Sequence, residues 1–253
     1  MYHIYMKIDI VHVDKDDPMY KVIVIDDFFD DFENIKKKSI EFFNKNKEIN
    51  WANAYPGYEA IIFGILNSIE LKCFDDELYE KIKKKMFEVF NITGIIPKSL
   101  DDIRENEVID FYCRVQSIIN CESIKHGGKI QSYCSPHIDS LPPMRNLNNS
   151  KMQILIYLSD SEEKFDGTNF YKRIYTPNLD TNYYYRTNYP FKEPLTTISA
   201  KKNRCLIYMS NIPHQANINY EKMTTFERFT LNLEYSQIFD DILKDNFNFA
   251  KLH

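Results

Sequence analysis

The sequence predicts an α+β fold in which N-terminal strands and two helices pack on a C-terminal β-sandwich of jelly-roll form. Three observations lead there. Two amphipathic helical patterns lie within residues 30–94. From about residue 104, short strand-like runs follow one another with no helical pattern between them, which favours an antiparallel sandwich or barrel over alternating βαβ units. No internal repeat or low-complexity linker interrupts the 253 residues. A single domain is therefore expected, with residues 1–103 as a strand/helix section packed on the core. Residues 104–238 form that core and 239–253 a tail.

In order, "YHIYMKIDIVHV" (2–13) and "YKVIVIDDFF" (20–29) cluster β-branched and aromatic residues in runs of strand length. "DDFENIKKKSIEFFNKNK" (30–47) opens with acids and closes with lysines, as a helix dipole prefers, and Phe32, Ile35, Ile40 and Phe43 make one stripe. "DDELYEKIKKKMFEVFNITG" (75–94) repeats the plan, with Leu78, Ile82, Met86, Val89 and Phe90 on the stripe and a glycine just past the end. The lysine runs 36–38 and 83–85 are read as solvated helix faces, because Asp and Glu balance them. The later strands are "NEVIDFYCRVQSII", "KIQSYCSPHIDS", "MQILIYLSD", "TNFYKRIY", "PLTTISA", "NRCLIYMS", "HQANINY" and "RFTLNLEYSQI".

Bulk properties exclude several roles. The net charge of −5 with interspersed signs argues against a nucleic-acid-binding surface. Only 6 glycines leave little material for a phosphate-cradling loop. There is no signal-peptide pattern and no apolar run of about 20 residues, so a cytoplasmic protein without a membrane span is expected. Cys73, Cys113, Cys121, Cys134 and Cys205 lack CxxC spacing and are expected to be reduced thiols.

The chemistry centres on "SPHIDS" (135–140). In a strand, His137 and Asp139 point to the same face, so an imidazole and a carboxylate can reach one ion. Taken alone, the pair is equally a turn in which Asp139 caps a backbone amide. A third ligand is offered by His214 in "NIPHQANI", and two histidines plus one carboxylate is the facial set of non-haem Fe(II) oxygenases, which leaves positions open for a chelating co-substrate and O₂. A keto-acid co-substrate needs its far carboxylate held. Arg228 in "ERFTLNLEY" supplies a forked cation, and Thr230, on the same strand face, supplies a hydroxyl. The alternative for Arg228 is an exposed strand arginine paired with Glu227 or Glu234. A second such pair, His12 and Asp14, has no further His and Arg to complete it and is read as a strand end entering a polar turn.

The ordered set His137-x-Asp139, His214, Arg228-x-Thr230 resembles the 2-oxoglutarate/Fe(II)-dependent dioxygenases, whose core is a double-stranded β-helix of the jelly-roll/cupin-like kind. "ILIYLSD" followed by "FDGTNFYKR" is similar to the prolyl-hydroxylase-like branch. "VIDDFFDD", "YPG", "SPHIDS", "GTNFYKR", "NRCLIYMSNIPH" and "ERFTLN" fall in the order of a bacterial and viral subgroup classed as a domain of unknown function. The resemblance covers roughly residues 22–235. It departs in carrying Asp166-Gly167 where Gly-Gly is common, and Thr230 where serine is common.

The resemblance implies a hydroxylase in which His137, Asp139 and His214 bind iron and Arg228 with Thr230 binds 2-oxoglutarate. Oxidation of a peptidyl residue, amino acid or small metabolite would release succinate and CO₂. Asp139 favours oxygen insertion over halogenation. Tyr133 and Tyr157 lie on strands lining the barrel and either reach the 2-oxoglutarate carboxylate or pack. Arg204 is either a strand-start ion pair or part of the site. Residues 171–194, rich in Tyr and Arg, form a long connection that either covers the substrate or is an ordinary surface excursion. The rival from another class is a non-catalytic jelly-roll binding module with a structural or relic metal.

Overall fold

The computed structural model describes residues 6–16, 20–46, 66–70, 76–93, 110–118, 151–159, 167–172, 193–209, 212–217 and 228–236. The strands are β1 (Lys7–His12), β2 (Lys21–Asp26), β3 (Leu66–Glu70), β4 (Asp110–Ile118), β5 (Lys151–Tyr157), β6 (Gly167–Phe170), β7 (Thr196–Ser199), β8 (Cys205–Met209), β9 (His214–Asn217) and β10 (Arg228–Ser236). The helices are α1 (Phe32–Asn46) and α2 (Asp76–Thr93). Each helix was expected from its stripe. β3 was not: its five residues carry no strand-specific pattern, and pairing with β4 makes it a strand.

Two antiparallel sheets result. The larger runs β1-β2-β8-β5-β10-β4-β3 and the smaller β7-β6-β9. Because β2 pairs with β8, the N-terminal strands continue the sheet of the C-terminal ones. The sheets face each other where Tyr157 of β5 meets Thr168 of β6, and where Phe170 of β6 packs edge-on against Tyr208 of β8. Alternation then assigns each side chain a face. Ile154 and Ile156 of β5 and Phe229, Leu231 and Leu233 of β10 turn away from the smaller sheet, and Phe229 packs edge-on against Phe43 of α1. Each such fully buried side chain contributes about 1.5–3 kcal/mol.

Helix α1 buries Phe32, Ile35 and Phe43, and α2 buries Leu78, Ile82, Met86 and Val89. Lys38 and Lys85 of the lysine runs, and Lys81 beside them, meet acids, and Lys85, 12% exposed, is less solvated than expected. Lys38 pairs with Glu77 at 2.8 Å, Lys81 with Asp31 at 2.5 Å and Lys85 with Asp30 at 3.2 Å, so ion pairs join α1 and the turn before it to α2. Cys205 is a buried free cysteine whose thiol burial pushes up, in keeping with an inert structural thiol. Among the described residues no helix is long and apolar enough to cross a membrane.

Arg204 is a structural residue. Its Nε lies 2.6 Å from Asp26 Oδ1 and its Nη2 3.0 Å from Asp26 Oδ2, a forked pair, while Nη1 donates to the Ser199 carbonyl at 2.9 Å. Lys201 Nζ adds a contact of 3.2 Å to Asp26. The Arg204 hydrogen bonds, more than the lysine, hold the Asp26 carboxyl below its ordinary value. A carboxylate held low in the folded state contributes stability above the unfolded value of about 3.9, and loses it as pH falls through the lower folded value. Urea unfolding of wild type and Asp26→Asn should therefore differ most above about pH 5, and the difference should shrink as pH falls below about 3.9 and through the lower folded value. A constant difference across that window would show that Asp26 does not titrate through this pair.

Candidate functional site

His214 opens β9 and Arg228 opens β10, each placed by its strand's alternation on the face between the sheets. His214 is 7% exposed. Its Nδ1 lies 2.9 Å from the Ile212 carbonyl oxygen, which can only accept, so Nδ1 carries a proton and donates it. The short connection through Pro213 sets this bond. The ring packs edge-on against Tyr208, with centroids 4.9 Å apart, and His214 is the cross-strand partner of Phe170.

Arg228 is 2% exposed, which rules out the exposed-arginine alternative. Its Nη2 donates to the Gly167 carbonyl at 3.2 Å, and the guanidinium carbon stands 5.1 Å from the Tyr157 ring centroid. Thr230, two residues on, is buried on the same face and is the cross-strand partner of Tyr157. The Tyr157 hydroxyl and Thr168 Oγ1 are 2.7 Å apart. Gly167 is required by close approach: a Cβ there would lie 2.2 Å from the Ile198 carbonyl oxygen. Asp166-Gly167 thus keeps the one glycine the close packing of β6 on β7 needs.

Of the seven site residues expected from the sequence, the described residues hold four on the face between the sheets: Arg228, Thr230 and Tyr157 lie together, and His214 stands apart beside Tyr208. His137, Asp139 and Tyr133 lie outside the described residues, as does 173–192 of the long connection. Among the described residues no group of three or more His, Cys, Asp or Glu could hold a metal ion. His12 ends β1 exposed, and Asp14 Oδ1 accepts from the Asp16 backbone amide at 3.0 Å, a polar turn as expected. Tyr208 was missed. It lies in the apolar run "CLIYM", and only the register of β8 shows that its ring faces His214.

The donor set suits a metal and an anion. A buried histidine whose Nδ1 is engaged by a carbonyl has its ring orientation fixed, the arrangement that orients metal-bound imidazoles. A buried guanidinium beside two hydroxyl-bearing side chains suits a carboxylate. The polar face runs from Arg228 and Tyr157 at one end to Tyr208 and His214 at the other.

No protein-family model matches the sequence, and no curated protein does. Solved structures match in fold. The epimerase SnoN, in complex with Fe3+, alpha ketoglutarate and nogalamycin RO, superposes with a TM-score of 0.55 at 11% identity, over 85% of this chain and 78% of its own. A second structure of that non-heme alpha ketoglutarate dependent epimerase gives a TM-score of 0.52 at 10% identity over the same shares. A Pseudomonas putida prolyl-4-hydroxylase aligns over 85% of this chain and 91% of its own at 12% identity, with a TM-score of only 0.44. The chain thus shares the fold of SnoN, a non-haem α-ketoglutarate-dependent epimerase.

Proposed function

We propose that this chain is a 2-oxoglutarate- and Fe(II)-dependent oxygenase on a double-stranded β-helix. It hydroxylates a peptidyl residue, amino acid or small metabolite and releases succinate and CO₂. The observation that supports this best is the buried polar face between the sheets, with a ligand-ready imidazole toward one end and a guanidinium toward the other. His137, Asp139 and His214 would hold the iron, and Arg228 with Thr230, Tyr157 and Tyr133 would hold 2-oxoglutarate. When bound, iron with 2-oxoglutarate and O₂ supplies the oxidising chemistry.

The chain's own residues bind, orient and exclude water. The Ile212 carbonyl accepts from His214 Nδ1 and fixes the ring, so that Nε2 would be the atom offered to the iron. Gly167 and Tyr157 fix the Arg228 guanidinium before the co-substrate arrives, so little side-chain freedom is lost on binding. The apolar walls, Phe170 and Leu155 among them, keep water from the reacting atoms. The Tyr-rich connection 171–194 would cover the substrate.

Addition of Fe(II) and 2-oxoglutarate under anaerobic conditions should produce a visible charge-transfer band in wild type, and none in His137→Ala or His214→Ala. If wild type gives no band and 2-oxoglutarate binding is the same in Arg228→Ala, this function fails. A non-catalytic binding module then stands first, and tight zinc retention would support it.

A further inference from the structure

The register that exposes Tyr208 also reveals a neighbour that none of the roles above uses. Gln153 of β5 is the cross-strand partner of Tyr208. It shares its strand face with Leu155 and Tyr157, so its side chain is directed between the sheets. It is 2% exposed, and its Nε2 is buried with no hydrogen-bond partner among the described residues. A buried amide donor left in this state is costly, and between Lys151 at its start and Tyr157 at its end the remainder of β5 is apolar. A leucine or methionine would fold better at this position, so an amide here needs another explanation.

Distance along the strand supplies it. Four residues separate Gln153 from Tyr157, about 13 Å at a strand's rise. Tyr157 marks the Arg228 end of the polar face, and Tyr208, in contact with His214, marks the other. Gln153 therefore stands at the His214 end.

We propose that Gln153 is a positioning residue whose Nε2 donates to a carbonyl or carboxylate oxygen of the molecule bound at the His214 end of the polar face. This rests on the oxygenase function above. The oxygen belongs either to the keto-acid end of 2-oxoglutarate or to the substrate. The chemistry is the same: an acceptor oxygen entering a site whose donor is already desolvated, so that discrimination against a molecule lacking that oxygen is large.

Thermal unfolding of wild type, Gln153→Leu and Gln153→Met, each without ligand and with Fe(II) plus 2-oxoglutarate under anaerobic conditions, tests this. Without ligand, the variants should melt about 2–4 °C higher than wild type, because an unsatisfied buried donor has been removed. If the keto acid supplies the oxygen, the variants also bind 2-oxoglutarate roughly tenfold more weakly and their charge-transfer band shifts. If the substrate supplies it, the ligand-free gain persists with the band and 2-oxoglutarate affinity unchanged. Ligand-free variants that both melt below wild type would overturn the proposal, since Gln153 would then be bonded within the chain. Failure of the oxygenase function appears separately, as absence of a band in wild type.

Discussion

Replacing Arg228 with methionine is expected to weaken 2-oxoglutarate binding at least about 100-fold while the protein stays folded. Each charge-assisted hydrogen bond contributes about 1.5–3 kcal/mol, and a guanidinium fork makes two to a carboxylate. Their joint loss exceeds the 1.4 kcal/mol that separates tenfold steps in affinity. Methionine is chosen because Arg228 is buried between Tyr157 and Gly167. An apolar chain of similar length fills that space, and exchanging a buried charge for a well-packed apolar group is often neutral in stability. Arg228→Lys keeps the charge without the fork and should fall between the two. Anaerobic titration of the charge-transfer band measures all three proteins. Equal affinities in wild type and Arg228→Met would remove Arg228 from the site.

Asn203→Ala should be the most destabilising change in the described part of the fold outside the hydrophobic core, by about 3 kcal/mol. The Asn203 amide is 7% exposed and replaces a missing strand neighbour for Phe29: Oδ1 accepts from the Phe29 amide at 2.8 Å, and Nδ2 donates to its carbonyl at 3.0 Å. Its backbone adds a bond to the same segment at Phe28, 3.0 Å, and one to Tyr157 of β5 at 2.9 Å. Alanine would leave both Phe29 groups buried without partners, about 1–3 kcal/mol each before relaxation. It would also adopt a left-handed φ of 60° that asparagine tolerates better. The corresponding fall in melting temperature is about 6–12 °C. Asn203→Gly isolates the hydrogen-bond part, since glycine accepts that φ freely. If Asn203→Ala melts within about 1 °C of wild type, the amide does not anchor the segment after β2.

Asn203 also shows why fold and site were unequally legible. Both helices were plain in the sequence, because a stripe such as Leu78, Ile82, Met86 and Val89 is a local, repeating signal. Most strands were legible as period-two or continuous apolar runs. β3 was not, since its identity comes from β4 alongside it. Among the candidate site residues, His214, Arg228 and Thr230 could be chosen because their chemistry and order are read along the chain. Arg204 could not be assigned: a strand-start arginine looks the same whether it meets a cofactor or Asp26, and its partner lies in β2.

By itself the sequence determined the α+β composition, the two amphipathic helices, and which side chains of a given strand share a face. It also determined the chemical kinds available, two imidazoles each following a proline (His137 and His214) and one Arg-x-Thr pair. These follow from helical and strand periodicity, which are properties of consecutive residues. The tertiary structure alone decided that β2 joins β8, that Arg228 is buried over Tyr157, that Arg204 belongs to Asp26, and that Tyr208 and Gln153 stand side by side at the His214 end. Those facts depend on which strands become neighbours and in what register, and pairing between residues far apart in sequence is settled by the packing of the whole chain.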